Sequence, residues 1–521
     1  MIDIKTEKDV ETLRQVALLL EHENARLMKR LQVLSAELAK ATGKDAERLQ
    51  LELAFVQEQL DRRIDELYGK SSEKRLGGAD KPASTSGNDT DKTKKRGHGP
   101  KQQLLLPVVE TEHKLDEADK TCPKCGGTLE ELAGQTEDSE EIDIVHREYR
   151  IVKHRRQKYV CGCGACVETA IGPRKLIEGG RYSVNFGVDV AISKYADHLP
   201  LTRQVTQMAR CGLDVDAQTL WDQLWAMHQH LSPTYEAMHG YVLSKTVIGA
   251  DETTWPITSK GNTKDWWAWS VTCPDAVFYK IMQNRSAKCA EAILTGYGGV
   301  VMADGYSAYG ALLKELAQLK LGASPPLLFI LANCWAHVRR KFVDCEGYYP
   351  QAKEAIDIIR KLYDVEKRAK EAGIGQDEDT RLGIIARMRT EESSIIVDEF
   401  YGWVGSQVAL PKSGLGIALE YAVSFKTGLK KFLNDPKIPL DNNQTERGMR
   451  ALAVGRKNHY GSKSFRGTQV AALFYSLIES AKMLEINPVE YLTEALTRAI
   501  DNPGTVTLPG DYAKEKTPAQ E

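Results

Sequence analysis

Three acids in this chain have the type and setting that phosphodiester chemistry requires. Asp251 ends the apolar run KTVIGAD, Asp304 ends the run GVVMAD, and Glu446 lies within KIPLDNNQTERGMRALAVGRKN. Cutting a phosphodiester with water or with a DNA 3′-hydroxyl needs a nucleophile activated at neutral pH and a leaving oxygen that is stabilised. Two divalent cations about 4 Å apart do both. Magnesium or manganese takes carboxylate oxygens, and one bridging acid with one on either side is a sufficient minimum. Glu446 carries a second reading. Asn442 or Asn443 caps a helix that starts there, so an acid on its first turn also serves a capping box reaching back to Asn443. Spacing alone leaves both readings open, and among 72 acidic residues some acid at any chosen place is expected by chance.

Cysteines form the second constellation. Cys122-Pro-Lys-Cys125-Gly-Gly aims two thiolates at one ion, and Cys161-Gly-Cys163-Gly-Ala-Cys166 offers another pair. Cys163 with Cys166 has the better spacing, and Cys161 with Cys163 is the alternative. Four thiolates would close one structural zinc site; the plainer reading is unrelated buried thiols. Ten cysteines without an export signal fit a reducing compartment, so a cytoplasmic protein is expected. No apolar run reaches the length of a membrane span.

These groups need elements to position them, and at 521 residues three or four domains are expected. After Tyr241 come three strand-like runs, then helix and strand in alternation. That is the order of a ribonuclease-H-like mixed sheet, in which the first and fourth strands lie side by side and bring Asp251 and Asp304 together. Amphipathic helices fill much of the stretch between Asp304 and Glu446. Trp266, Trp267 and Trp269 fall on alternate faces of the second strand, which suits core packing.

Upstream, apolar spacing gives helices over NFGVDVAISKYADHL, LTRQVTQMAR and AQTLWDQLWAM. Gly212 sits in the turn between the last two, where a helix-turn-helix needs a left-handed residue. Gln218, Thr219 and Asp222 would then lie near the reading end of the second helix. The net charge of −2 gives no sign of nucleic acid, so a DNA-binding face must come from local clusters. Arg339, Arg340 and Lys341 form one, and Arg456, Lys457, Lys463 and Arg466 another. At the N-terminus, Val10, Ala17, Asn24, Leu31 and Leu38 share one heptad position, and Leu13, Leu20, Leu27, Leu34 and Ala41 the other. The repeat suits a dimeric coiled coil with polar Asn24 on its seam. Gly43-Lys44-Asp45 interrupts it, so a hairpin folding on itself is the alternative. Residues 71–101 are rich in Gly, Ser, Asp and Lys and read as a flexible, partly basic linker.

Taken in order, the strings ENARL, LYGKSSEK, RGHG, CPKCGG, KLIEGG, KYADHLPL, ADETTW, ADGYSAY, CWAHVRRKF, DNNQTERGMRALAVGRKN and SLIESAK resemble the transposases of the insertion sequence 66 family across nearly the whole chain. The resemblance implies a DDE triad at Asp251, Asp304 and Glu446, holding two magnesium or manganese ions. It implies an enzyme that binds the terminal inverted repeats of its element, cuts DNA and joins it to a target. A homodimer or higher oligomer, companion proteins encoded by the same element and a bacterial, nucleoid-associated location follow from it too. Cys334 and His337 are similar to the short Cys-to-His motif of many DDE enzymes, with a positioning role expected. The family usually closes its zinc ribbon with a two-residue knuckle, whereas three cysteines crowd together here.

The expected fold is multidomain α+β. It comprises an N-terminal coiled coil (1–70), a linker (71–101), a zinc ribbon (102–175) and a helix-turn-helix-like helical domain (176–240). A ribonuclease-H-like catalytic core follows (241–345 and 436–500), split by an all-helical insertion (346–435), with a tail at 501–521. The competing functions are a dimeric DNA-binding regulator with a decayed core and a nuclease that never joins ends.

Overall fold

The computed structural model describes residues 10–38, 40–41, 43–68, 147–160, 166–259, 262–318 and 328–516, with 116, 124 and 126 singly. The chain divides into two compact units, Met1–Glu73 with Tyr149–Glu521, and Lys74–Glu148. Most of the linker and of the cysteine segment, including Cys122, Cys125, Cys161 and Cys163, lies outside the described residues. Cys166 is described, with an exposed free thiol. It borders a small antiparallel pair, β1 (Lys158–Val160) with β2 (Val167–Thr169).

The heptad segment forms two helices, α1 (Val10–Leu38) and α2 (Lys44–Tyr68). Gly43, at φ 60°, makes the reversal between them. They pack on each other, with Leu20, Leu34 and Val56 buried and Arg30 paired to Glu52 at 2.9 Å. Within one chain, therefore, the interrupted repeat folds as a hairpin. α2 also rests on a later helix, α12 (Gly414–Ser424), whose Gly414 N–H donates to buried Glu58 at 2.8 Å.

Three helices come next: α3 (Val184–Tyr195), α4 (Leu201–Arg210) and α5 (Ala217–Leu243). Gly212 has φ 80° in the turn before α5, and Asp216 caps α5 through the Thr219 N–H at 2.6 Å. The sequence pattern stops α5 near Met227, but the helix runs on through Pro233. Proline inside a helix costs about 3 kcal/mol. Burial of Leu231, Thr234, Met238 and Val242 along the second half offsets that cost.

The sheet runs β5-β4-β3-β6-β7, built from β3 (Val247–Ser259), β4 (Asn262–Cys273), β5 (Ala276–Met282), β6 (Val300–Ala303) and β7 (Ile330–Asn333). The first three pair antiparallel, while β6 lies parallel to β3 and β7 parallel to β6. Alternation along the strands feeds two cores. Trp255, Ala268, Val277 and Tyr279 pack with α5, α14 (Asn443–His459) and α15 (Phe465–Met483). Ile248, Ala250, Trp269 and Val271 face α6 (Ala287–Leu294) and α7 (Ser307–Gln318). Trp267 joins the second core and Trp266 the first, as a period of two demands.

A third core lies beyond β7. It joins α8 (Trp335–Val343) to α9 (Ala352–Ala372), α11 (Ser394–Ser406) and α12. α10 (Glu378–Met388) has no buried residue, and a π turn at Arg389–Ser393 links it to α11. After α15, α16 (Pro488–Asp501) and α17 (Pro509–Lys516) close the first core. No helix among the described residues is long and apolar enough to cross a membrane.

Candidate active site

Parallel pairing of Val247–Gly249 with Val300–Met302 sets Asp251, just beyond the paired stretch of β3, beside Asp304, just beyond the end of β6. α14 brings the third acid. Its N-terminus docks where β3 has Gly249, at which a Cβ would lie 2.0 Å from Thr445 Oγ1 and 2.7 Å from Asn442 Oδ1. The missing side chain is what lets helix and strand meet. Asn442 Nδ2 then donates to the Ala250 carbonyl at 2.9 Å, which fixes the first turn of α14, and Glu446 with it, against the strand.

The three acids feel one another. The Asp251 carboxyl is pushed up to about 8, first by burial and then by the charges of Glu252, Asp304 and Glu446. One hydrogen bond works the other way, from the Glu252 N–H to Asp251 Oδ1 at 2.9 Å. Asp304 Oδ1 accepts from the Tyr306 N–H at 2.9 Å. Glu446 faces α8: its Oε2 lies 3.4 Å from Arg340 and its Oε1 3.7 Å from His337 Nδ1. The Asn443 N–H, which Glu446 would accept in a capping box, donates instead to Asp441 Oδ1 at 3.0 Å.

Carboxylate oxygens are the donors that hard divalent cations prefer. Glu446 Oε1 is buried and accepts no hydrogen bond, and Asp251 is held up by burial among like charges. A cation would relieve both conditions, so the acids present fit magnesium or manganese. Cys334, His337 and Glu446 also place ligand atoms within 4.8 Å of one another. Burial, however, pushes the Cys334 thiol up to about 12, and its Sγ accepts the Asn442 N–H at 3.2 Å. A protonated thiol is a poor ligand. The arrangement reads better as a brace that ties CWAH to LDNN, helped by the Trp335 N–H donating to the Leu440 carbonyl at 3.2 Å.

The other expected residues scatter. Lys341 lies over the Tyr421 ring at 5.8 Å, and Arg339 stands on the same helix as Arg340. Arg456 Nη1 turns inward to Thr253 Oγ1 at 2.8 Å and Thr254 Oγ1 at 2.7 Å, so it clasps β3. Lys457 and Lys463 are exposed, and Arg466 lies over Trp225 at 5.1 Å. Gln218 bonds Asp222 at 2.8 Å, and the Thr219 N–H is taken by the Asp216 cap.

Glu252 is the residue that sequence reasoning passed over. Its side chain is fully buried against Arg285 (Nε to Oε1 2.8 Å) and Tyr309 (2.8 Å), while Arg285 covers the Tyr306 ring at 3.6 Å. Adjacent acids on a strand face opposite ways, so one of the Asp251–Glu252 pair had to turn from the other. Burial raises Glu252, and Arg285 opposes that rise. Thus Asp251 stands beside a buried carboxylate that already has its own cation.

Residues 179–470 match the family model described as Transposase IS66 family, and residues 119–164 match the zinc-finger binding domain of the IS66 transposase. The second match spans Cys122, Cys125, Cys161 and Cys163 but ends before Cys166. Three uncharacterized proteins of Sinorhizobium fredii are similar along most of their length. The protein y4qI is 30% identical over 94% of each chain. The protein y4jD is 30% identical over 75% of this chain and 77% of its own. The protein y4hP is 24% identical over 86% and 82% respectively.

Proposed function

The chain belongs to the IS66 family of transposases, and from that membership we propose that it cuts DNA at the ends of its own element and joins those ends to a target, with Asp251, Asp304 and Glu446 as the catalytic acids. Membership gives a role in DNA transposition. The reading of the acids rests on one observation: Asp251 is desolvated among the charges of Asp304 and Glu446, which come to it from separate elements. The strand order, with the parallel pair after three antiparallel strands, supports a ribonuclease-H-like core.

Asp251, Asp304 and Glu446 would hold two divalent cations, which supply Lewis-acid activation of the attacking hydroxyl and neutralise the leaving oxygen. The chain's own groups do the rest. Arg340, beside Glu446, holds that carboxylate in place and adds positive charge at the rim. Arg339 and Lys341, on the same helix, are suited to neighbouring phosphates. Glu252, locked by Arg285 and Tyr309, keeps β3 fixed where Asp251 leaves it. A structural zinc is proposed on Cys122 and Cys125 with two of Cys161, Cys163 and Cys166. Dimerisation through α1 and α2, and recognition of DNA by α4 and α5, belong to the same proposal.

The test is cleavage and strand transfer on a duplex that carries the element's ends, with magnesium, using Asp251→Asn, Asp304→Asn and Glu446→Gln. Loss of both steps with end binding retained is expected. Cleavage without strand transfer in the unaltered protein would favour a nuclease, and full activity in Asp251→Asn would end the DDE reading.

A further inference from the structure

About 20 Å from the acids, the same unit carries a cleft of opposite character. The distance follows from β3 between Asp251 and Ile257 at ~3.3 Å per residue, and from α14 between Glu446 and His459 at ~1.5 Å per residue. The loop after α14 is pinned to the far part of β3. Ser462 N–H donates to the Pro256 carbonyl at 3.1 Å, and Thr258 N–H to the Ser462 carbonyl at 2.9 Å. Between this loop and the first turns of α4, α5 and α15 lies a cavity of about 620 Å³.

Its chemistry is one-sided. Lys194, Arg203 and Lys463 line it, and among the described residues no Asp or Glu does. Lys194 is part-buried, and that burial, with Lys463 close by, pulls its ammonium down to about 8. Among the described residues no acid pairs with it, and its ammonium lies over the Tyr195 ring at 5.4 Å. A desolvated cation beside a second cation, with no counter-charge, is costly unless an anion comes to it. The first turn of α4 also lines the cleft, and Pro200 provides that helix with no side-chain cap. The Arg203 and Gln204 N–H groups donate to the Pro200 carbonyl at 3.0 and 3.1 Å, which leaves the Leu201 and Thr202 amides for an acceptor.

The rim adds an aromatic face. Tyr460 has φ 57°, a left-handed conformation that bulky residues rarely adopt, and Gly461 follows at φ 70°. The turn leaves Tyr460 77% exposed, and Trp221 lines the same cleft. His459, at the base, is held far below the usual histidine range, at about 3, mainly by burial, so it stays neutral and adds no charge.

We propose that this cleft receives a single unpaired nucleotide of a DNA strand, its phosphate on Lys194, Arg203 and Lys463 and its base against Tyr460 and Trp221. A duplex is too wide for a cavity of this volume, whereas one nucleotide fits with the duplex outside. At ~3.4 Å per step, the cleft would lie about six nucleotides along a strand from the acids. The inference rests on the transposase reading for DNA as the partner, but it concerns a separate site.

The test is binding by the full-length protein, without divalent cation, of a duplex with a short single-stranded overhang and of the same duplex blunt. The overhang should bind at least about tenfold tighter, as stacking and phosphate contact together require. Tyr460→Ala and Lys463→Ala, both at exposed positions, should each remove most of that preference. Lys463→Ala should also lower the salt slope by about one. Thymidine monophosphate should compete with the overhang better than inorganic phosphate does. Equal affinity for blunt and overhang DNA overturns the proposal, as does a preference untouched by both variants. Inorganic phosphate competing as well as the nucleotide would leave an anion site only, and would overturn it too. Failure here is separable from failure of the transposase reading. Cleavage that persists in Asp251→Asn sinks that reading and leaves overhang binding unaffected.

Discussion

Arg389 in the helical insertion and Asp251 in the sheet are both ionisable groups drawn out of water, and the chain treats them in opposite ways. Arg389 is 2% exposed, and each of its three guanidinium nitrogens donates a hydrogen bond. Nε and Nη2 grip the two carboxylate oxygens of Glu366 at 2.7 and 2.9 Å, while Nη1 donates to the carbonyls of Phe432, Asp435 and Ile438. A bidentate pair backed by three carbonyls is how a buried charge becomes tolerable. Asp251 instead has like charges for neighbours and one backbone amide for relief. The first arrangement is complete within the protein. The second sets a carboxyl among like charges, which is the environment that the proposed cation-binding role requires.

The largest effect that would test this contrast is on rate. Asp251→Asn should reduce cleavage on the order of 10³-fold or more, since charge stabilisation in the transition state is lost. The same change should leave the melting temperature of the metal-free protein unchanged or higher, because a repelled carboxylate has been removed. A large fall in melting temperature would mean that Asp251 holds the fold and is not poised for a cation.

Arg389→Met should show the reverse. Breaking a buried pair and orphaning three carbonyls should cost about 3 kcal/mol of stability, read by denaturant unfolding. Those carbonyls belong to the segment that leads into α14, so the structural charge also fixes where Glu446 begins. A variant as stable as the parent would show that the network is dispensable.

Much of this was legible in the residues, and the exceptions have physical causes. Short apolar runs ending in Asp251 and Asp304 announced two strands and their acids, because a strand buried on both faces reads as continuous apolar sequence. Glu446 was ambiguous, since spacing on a first turn suits a cap and a ligand equally; that it faces Arg340 and His337 could be known only from the fold. Glu252 was hidden because its partner, Arg285, lies in an undistinguished polar turn. The inward turn of Arg456 was hidden for the same reason: a basic residue near a site reads as a phosphate contact until its hydrogen bonds are known. Pro233 misplaced the end of α5, because local propensity cannot weigh the burial that overrides it.

A third treatment of a buried ionisable group gives a smaller effect. His459 is kept neutral, its folded-state value near 3 against an ordinary 6.5. A depressed value means that the unfolded chain takes up a proton the folded chain refuses. Stability is therefore full above about pH 6.5 and is lost as pH falls toward 3. His198, His228 and His239 are lowered by burial as well, so the acid-side decline is shared. His459→Gln should flatten the fall in melting temperature between pH 7 and 4 by a few degrees. An unchanged slope would mean that His459 titrates in the folded state.

The smallest effect concerns Glu58, which brings the comparison to the N-terminal hairpin. Heptads in the sequence describe a seam but not whose helix fills it. In this chain α2 turns one face to α1 and offers Glu58 to the insertion, where it accepts from Tyr349 Oη at 3.2 Å and from the Gly414 N–H, at the N-terminus of α12. A carboxylate there gains from the helix dipole and from Arg62 beside it. Glu58→Gln keeps an acceptor and removes the charge, so about 1 kcal/mol should be lost. What matters is which transition loses it. If α2 is part of the packing of the insertion, the main unfolding transition should move, and protease cleavage within α2 should quicken only in step with it. If the hairpin is a detachable zipper, the main transition should stay where it is, and cleavage within α2 should rise on its own.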